Sequence, residues 1–182
     1  MPPTHAGLRD ALLAFRTASP TLVERMLALL DAGSAAFDRA AFVPGHFTAS
    51  AFVVRPDRRE LLLIHHRKLE LWLQPGGHFE PTDADPQAAA RRELGEETSL
   101  TAVRPLGVGL LDVDIHDIPA RGDAPRHQHF DLRFGFALDD LDAQVLAASD
   151  AKDARWVSLD ALADVQTDDS VRRTARRLAT AS

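Results

Sequence analysis

The chain has 182 residues, 45% of them hydrophobic, which suffices for one well-buried core and sets a single domain as the starting expectation. It contains no cysteine, so disulfides, thiolate zinc sites and a cysteine nucleophile are excluded, and this usage fits a reducing cytoplasm. A formal charge of −6 offers no basic field to a nucleic-acid backbone, so nucleic acid is not the expected partner. No apolar stretch approaches the roughly 20 residues that cross a bilayer.

Taken in chain order, residues 1–45 read as a neutral helical extension. Leu8, Leu12 and Phe15 recur at helical spacing, and a second helix opens with Ser19 as N-cap and Pro20 at its first position, carries Leu22, Met26, Leu29 and Leu30, and ends near Gly33. These stripes need burial, either against the main domain or against a second copy in a homodimer. From His46 the pattern changes to strands. FTASAFVV (47–54) and ELLLIHHR (60–67), separated by the turn-forming PDRR, predict a hairpin. A PGG loop follows, and then a helix with Asp85 as N-cap and Pro86 first inside it. Residues 102–115 predict a strand interrupted by glycines, and 116–126 a loop. Residues 127–138 alternate strictly, with His127, His129, Asp131 and Arg133 on one side and Phe130, Leu132, Phe134 and Phe136 on the other, the period of a half-buried strand. A short strand at ARWVSL precedes a C-terminal helix, 167–182, with acids first and four arginines later, as the helix dipole favours. Helices mixed with antiparallel-looking strands, without regular alternation, predict an α+β fold.

The helix after PGG carries the chemistry. At about 100° per residue, Glu93, Glu96 and Glu97 fall within an arc of about 100°, so three carboxylates converge on one patch near the end of the helix where anions are disfavoured. Arg92 offsets part of the repulsion, and a divalent cation could offset the rest. A bare acidic stretch is ordinarily a solvated face. Here, however, a glycine loop permitting close backbone approach precedes it, and magnesium binds through one or two carboxylates together with substrate phosphates.

Gly77, Arg92, Glu93, Leu94, Glu96 and Glu97 resemble the signature of the Nudix hydrolases, most specifically at RELGEE and PGGH. The resemblance spans residues 46–166 and implies an α/β/α sandwich around a mixed sheet. It also implies a Mg2+-dependent hydrolase, with Mn2+ as the substitute ion, in which metal-activated water attacks a diphosphate linkage of a nucleoside diphosphate derivative or a nucleoside triphosphate. Glu96, Glu97 and a carbonyl of Gly76 or Gly77 become metal ligands, with Glu93 as a ligand through water or as the base and Arg92 orienting the carboxylates. Asp150, before the tryptophan-bearing strand, is the further acid to which the resemblance points, with Asp153 as the alternative. Two positions depart from the signature. The upstream glutamate falls on Ala84, leaving Asp83, Asp85 or Glu80 to stand in, and the glycine expected after the glutamates is Ser99.

Substrate-binding candidates are His78, inside the signature, Arg67 beside the glycine loop, and His127, His129 and Arg133 on the polar strand face, whose alternative is a solvent-facing sheet. A clustered-histidine zinc site competes with magnesium, but the carboxylates are the better organised set. Isopentenyl diphosphate isomerisation is disfavoured by the lack of cysteine, and the dinucleoside polyphosphate branch by the lack of tyrosine. The alternative to an enzyme is a nucleotide-binding regulatory module on the same fold.

Overall fold

A computed structural model of the chain describes residues 5–180 apart from 56, 58, 108, 141 and 150. Its elements are α1 (His5–Ala14), α2 (Pro20–Leu30), β1 (Gly45–Val54), β2 (Glu60–His66), β3 (Trp72–Leu73), β4 (Gly76–His78), α3 (Pro86–Thr98), β5 (Arg104–Pro105), β6 (Asp112–Ile118), β7 (His127–Ala137), β8 (Ala151–Ser158) and α4 (Asp169–Thr180). The eight strands form one mixed sheet, with β3, β2, β1, β7 and β5 in order and β4, β6 and β8 pairing with β1, β7 and β2 respectively. The expected sheet-and-helix class is met, with helices preceding the sheet.

The anticipated β1–β2 hairpin is reduced to one registered pair, Val54 with Leu61. The main partner of β1 is β7, which runs parallel to it from the Gly45–Gln128 pair to the Val54–Ala137 pair. Parallel pairing between segments some 80 residues apart leaves no local turn signal, so the strand sequences alone suggest only antiparallel neighbours. Two smaller differences follow from pairing as well. The PGG segment is not all loop, since Gly76–His78 pairs with β1, and residues 116–118 extend β6 along β7.

Alternation gives the sheet two unlike faces. Phe47, Ala49, Ala51 and Val53 of β1, with Phe130, Leu132, Phe134 and Phe136 of β7, share a core with residues of α1, α2 and α3. The N-terminal helices therefore bury their stripes within this chain: Leu8, Leu12, Val23 and Met26 are each at most 5% exposed. On the other face β1 reads His46, Thr48, Ser50, Phe52, Val54, a gradient from polar to apolar. Phe52 and Val54 join Leu61, Leu63, Val157 and residues of α4 in a second core. Between that core and the histidines lies a buried polar layer in which Arg133 donates to Asp131, to the Ser170 carbonyl and to the hydroxyls of Thr174 and Ser170. Among the described residues, no helix is long and apolar enough to cross a membrane.

Candidate active site

The carboxylate helix is fixed at both ends. Asp85 accepts from the Ala88 amide at 2.8 Å and Pro86 fills the first turn, as the sequence implies. At the far end Ser99 adopts φ 62° and donates its N–H to the Gly95 carbonyl, so a serine makes the left-handed turn for which glycine is better suited.

Arg92 gathers the site. Its guanidinium donates twice to Asp83, at 3.0 Å each, once to Glu93 at 3.0 Å, to both oxygens of Glu96 at 3.2 Å, and to the His78 carbonyl at 2.7 Å. Burial opposes this charge, but Asp83, Glu93 and Glu96 outweigh it and hold the guanidinium above its ordinary pKa. Of the three acids that could stand in for the upstream glutamate, Asp83 is the one that pairs twice with Arg92. Its side chain is 4% exposed and also accepts from the Glu80 amide, whereas Glu80 lies 3.9 Å from Arg92 and Asp85 caps the helix.

The glycines of PGGH have separate uses. The Gly76 N–H donates to Glu97 at 3.0 Å, tying the end of α3 to β4. Gly77 provides space: a Cβ there would come within 2.6 Å of the Glu93 carboxylate. That carboxylate is largely buried, and burial pushes its pKa above the ordinary value against the pull of Arg92. Glu96, by contrast, is half exposed.

The patch thus collects the carboxylates of Asp83, Glu93 and Glu96 around one guanidinium, with Glu97 tied to the adjoining Gly76 and oxygen as the donor atom throughout. Such a set fits a hard divalent cation, which takes oxygen ligands and compensates the surplus negative charge. Of these, Glu96 and Glu97 would hold it.

The remaining sequence candidates divide. His127 and His129 come together with His78 and with His46, a residue that nothing in the sequence singles out; ring centroids lie 4.9–5.2 Å apart for the pairs of His46 with the other three. The register of β1 with β7, which places His46 opposite His129, creates this cluster, and it is invisible without the parallel pairing. It occupies the sheet face opposite α3, so the His78 ring faces away from the carboxylates although its carbonyl meets Arg92. Arg133 does not line an open face. It is 1% exposed, with its donors committed to Asp131, Ser170 and Thr174, which corrects its reading as a substrate ligand. Arg67 is exposed on the turn after β2 and reaches the Ala151 carbonyl at 3.4 Å. The loop before β8 lies against the end of α3, with Leu146 and Ala148 donating to the carbonyls of Thr98 and Glu97. Asp150 lies outside the described residues. Trp72 and Trp156 are partly buried against the two cores and lie beneath Arg155 and Arg55.

Comparison with known proteins accords with this geometry. The family model of the NUDIX domain matches residues 44–178, and the chain belongs to that family. An RNA pyrophosphohydrolase of Rhodopseudomonas palustris (strain BisB18) is 32% identical over 103 residues, which are 52% of this chain and 57% of the relative, so the match spans little more than half of that protein's length. A NUDIX-family hydrolase from Clostridium perfringens superposes with TM-score 0.56 at 24% identity, over 78% of this chain and 97% of the other. The E. coli dihydroneopterin triphosphate pyrophosphohydrolase superposes with TM-score 0.55 at 16% identity, over 72% and 92% of the two chains. These structural likenesses establish the fold.

Proposed function

We propose that the chain is a Mg2+-dependent pyrophosphohydrolase that splits a diphosphate linkage in a nucleoside diphosphate derivative or a nucleoside triphosphate. One observation carries this reading: Arg92 draws Asp83, Glu93 and Glu96 together, while Gly76 ties Glu97 to the same strand. Like charges would otherwise spread apart. When bound, Mg2+ would supply charge neutralisation for the diphosphate and acidity for a water molecule.

In this proposal Glu96 and Glu97 hold the ion, with a carbonyl of Gly76 or Gly77 as a further ligand. Glu93 accepts the proton of the attacking water. Its raised pKa suits a base working near neutrality, because a stronger carboxylate base gains driving force for proton transfer. Arg92 positions Glu93 and Glu96 and contacts the reacting atoms only through them. Arg67, exposed beside the glycine segment in sequence, is the cation assigned to the distal phosphate.

The test is a panel of nucleotide sugars, dinucleotides, nucleoside triphosphates and RNA bearing a 5′-polyphosphate, assayed with and without Mg2+. Mg2+-dependent cleavage that disappears in Glu97→Gln supports the proposal. Nucleotide binding without product would make the chain a regulatory module instead. The net charge of −6 favours small nucleotides over RNA in this panel.

A further inference from the structure

The histidine cluster has chemistry that the carboxylate site does not use. Its members come from three strands that the sheet aligns: His46 of β1 is registered with His129 of β7, His127 lies two residues earlier on the same face, and His78 of β4 is registered with Thr48. Residues paired in this way share a face, so all four rings stand together. One ligand atom each from His46, His127 and His129 lies within 4.8 Å of the others. His46 and His127 are 1% and 7% exposed.

Hydrogen bonding fixes what these rings present. The Nδ1 of His46 is 3.0 Å from the Ala41 carbonyl, and that of His127 is 2.8 Å from the Pro125 carbonyl. A carbonyl oxygen can only accept, so in both rings Nδ1 carries the hydrogen. In the neutral ring Nε2 is therefore left as a lone-pair donor. This is the arrangement in which metal-ligating histidines are ordinarily held, with the second nitrogen bonded to a backbone carbonyl that sets tautomer and ring direction. The Nε2 of His46 is buried and has no hydrogen-bond partner among the described residues. Burying such an atom costs free energy unless something pairs with it. Phosphate oxygens, themselves electron-rich, are poor partners for converging lone pairs. A cation is a good one.

We propose that His46, His127 and His129 form a transition-metal site of the kind that takes Zn2+, with His78 as the neighbour placed to complete it. Imidazole nitrogens suit borderline ions of this class, whereas the all-oxygen patch on α3 suits Mg2+, so the two sites sort their ions by donor chemistry. Nitrogens bound to one tetrahedral zinc lie about 3.4 Å apart, given Zn–N distances of about 2.0–2.1 Å, so the 4.8 Å bound leaves a closure of side-chain scale. His116, a fifth ring near His129, is turned to other use, with its Nδ1 3.4 Å from Asp114. The metal would clamp β1 to β7 and, through His78, reach the strand whose carbonyl holds Arg92 at 2.7 Å. It is a site separate from the carboxylates, yet one peptide away from their organiser.

The experiment is a Zn2+ titration of the full chain, stripped of metal and held in excess Mg2+ so that the carboxylates are occupied. It is run on the unaltered protein, Glu97→Gln and His127→Ala, with the rings mapped by diethyl pyrocarbonate labelling. One zinc per chain is expected in the unaltered protein and in Glu97→Gln. Affinity in His127→Ala should fall by more than the roughly 10–100-fold that loss of an outer hydrogen-bond partner costs. Zn2+ should also shield His78 and His129 from labelling in the unaltered protein while His65 goes on reacting, a readout that survives if His127→Ala fails to fold. Absence of zinc binding, zinc lost in Glu97→Gln but kept in His127→Ala, or unchanged labelling of His78 and His129 would each overturn the proposal.

Discussion

The Glu93 carboxylate lies where a side chain on Gly77 would begin: a Cβ at that glycine would come within 2.6 Å of its carboxyl carbon and one oxygen. Gly77 is not among the glycines with positive φ, so backbone freedom is not what the position requires. Its hydrogen leaves room for the carboxylate.

Gly77→Ala therefore tests placement rather than folding. Glu93 is flexible enough to swing aside, so the stability cost should stay near 1–3 kcal/mol, as for other overpacked sites. Displacing the proposed base by about 1 Å is expected to lower kcat about 100-fold, with KM little changed. Full activity in Gly77→Ala would detach Glu93 from the chemistry.

Asp83 is the buried anchor of Arg92 and should behave as part of one unit with it. Asp83→Ala removes a two-point pairing from a guanidinium that also serves Glu93 and Glu96, and is expected to cost about 3–5 kcal/mol in urea unfolding. Arg92→Lys cannot reproduce the fork that reaches Asp83, both glutamates and the His78 carbonyl. A double-mutant cycle between the two positions should show strong non-additivity. Additive losses would mean that Arg92 does not depend on Asp83 for its position.

Arg133 separates a structural role from a substrate role. Arg133→Ala strands Asp131, which is 1% exposed, without its charge partner and is expected to destabilise the fold by about 3–5 kcal/mol. The protein that remains folded should keep its KM. A rise in KM without loss of stability would restore the arginine to the binding surface.

The layer beneath α4 also sets a pH dependence. Burial would raise the Asp114 pKa, but His116, Arg133 and Arg173 outweigh it and hold the carboxyl well below the usual aspartate range. A folded-state pKa below the unfolded one gives stability that is present above the usual aspartate pKa and lost as pH falls through the folded value. Asp114→Asn should thus cost roughly 1.5–3 kcal/mol at neutral pH, with the difference from the parent protein shrinking under strongly acid conditions. A pH-independent difference would show that the carboxylate charge is not what matters at this position.

Much of the site is legible in the amino-acid sequence. Asp85 and Pro86 announce where α3 begins, RELGEE announces its acidic face, and the missing glycine at Ser99 implies the left-handed serine that ends it. What escapes such a reading depends on pairing over long distances. Alternation along 127–138 shows which residues share a face but not which strand lies beside them, so nothing local joins His46 to His129. Nor does alternation show what covers the face. Arg133 resembles the wall of a pocket because charged residues are rarely fully buried, and only α4, supplying Ser170 and Thr174, makes its burial tolerable. Spacing leaves the upstream acid to any of three residues, and only the fold gives Asp83 to Arg92.

In the proposed function the acidic face of α3 exists to hold a hard cation. The most direct measurement is the melting temperature of the metal-free protein as Mg2+ is added, compared with a variant carrying Glu93→Gln, Glu96→Gln and Glu97→Gln together. Mg2+ is predicted to raise the melting temperature of the parent protein in a saturable way, since a ligand bound only to the native state stabilises it. The triple variant should melt higher than the metal-free parent and ignore Mg2+. A parent protein whose melting temperature is unmoved by Mg2+, or a variant that still responds as the parent does, would contradict the claim.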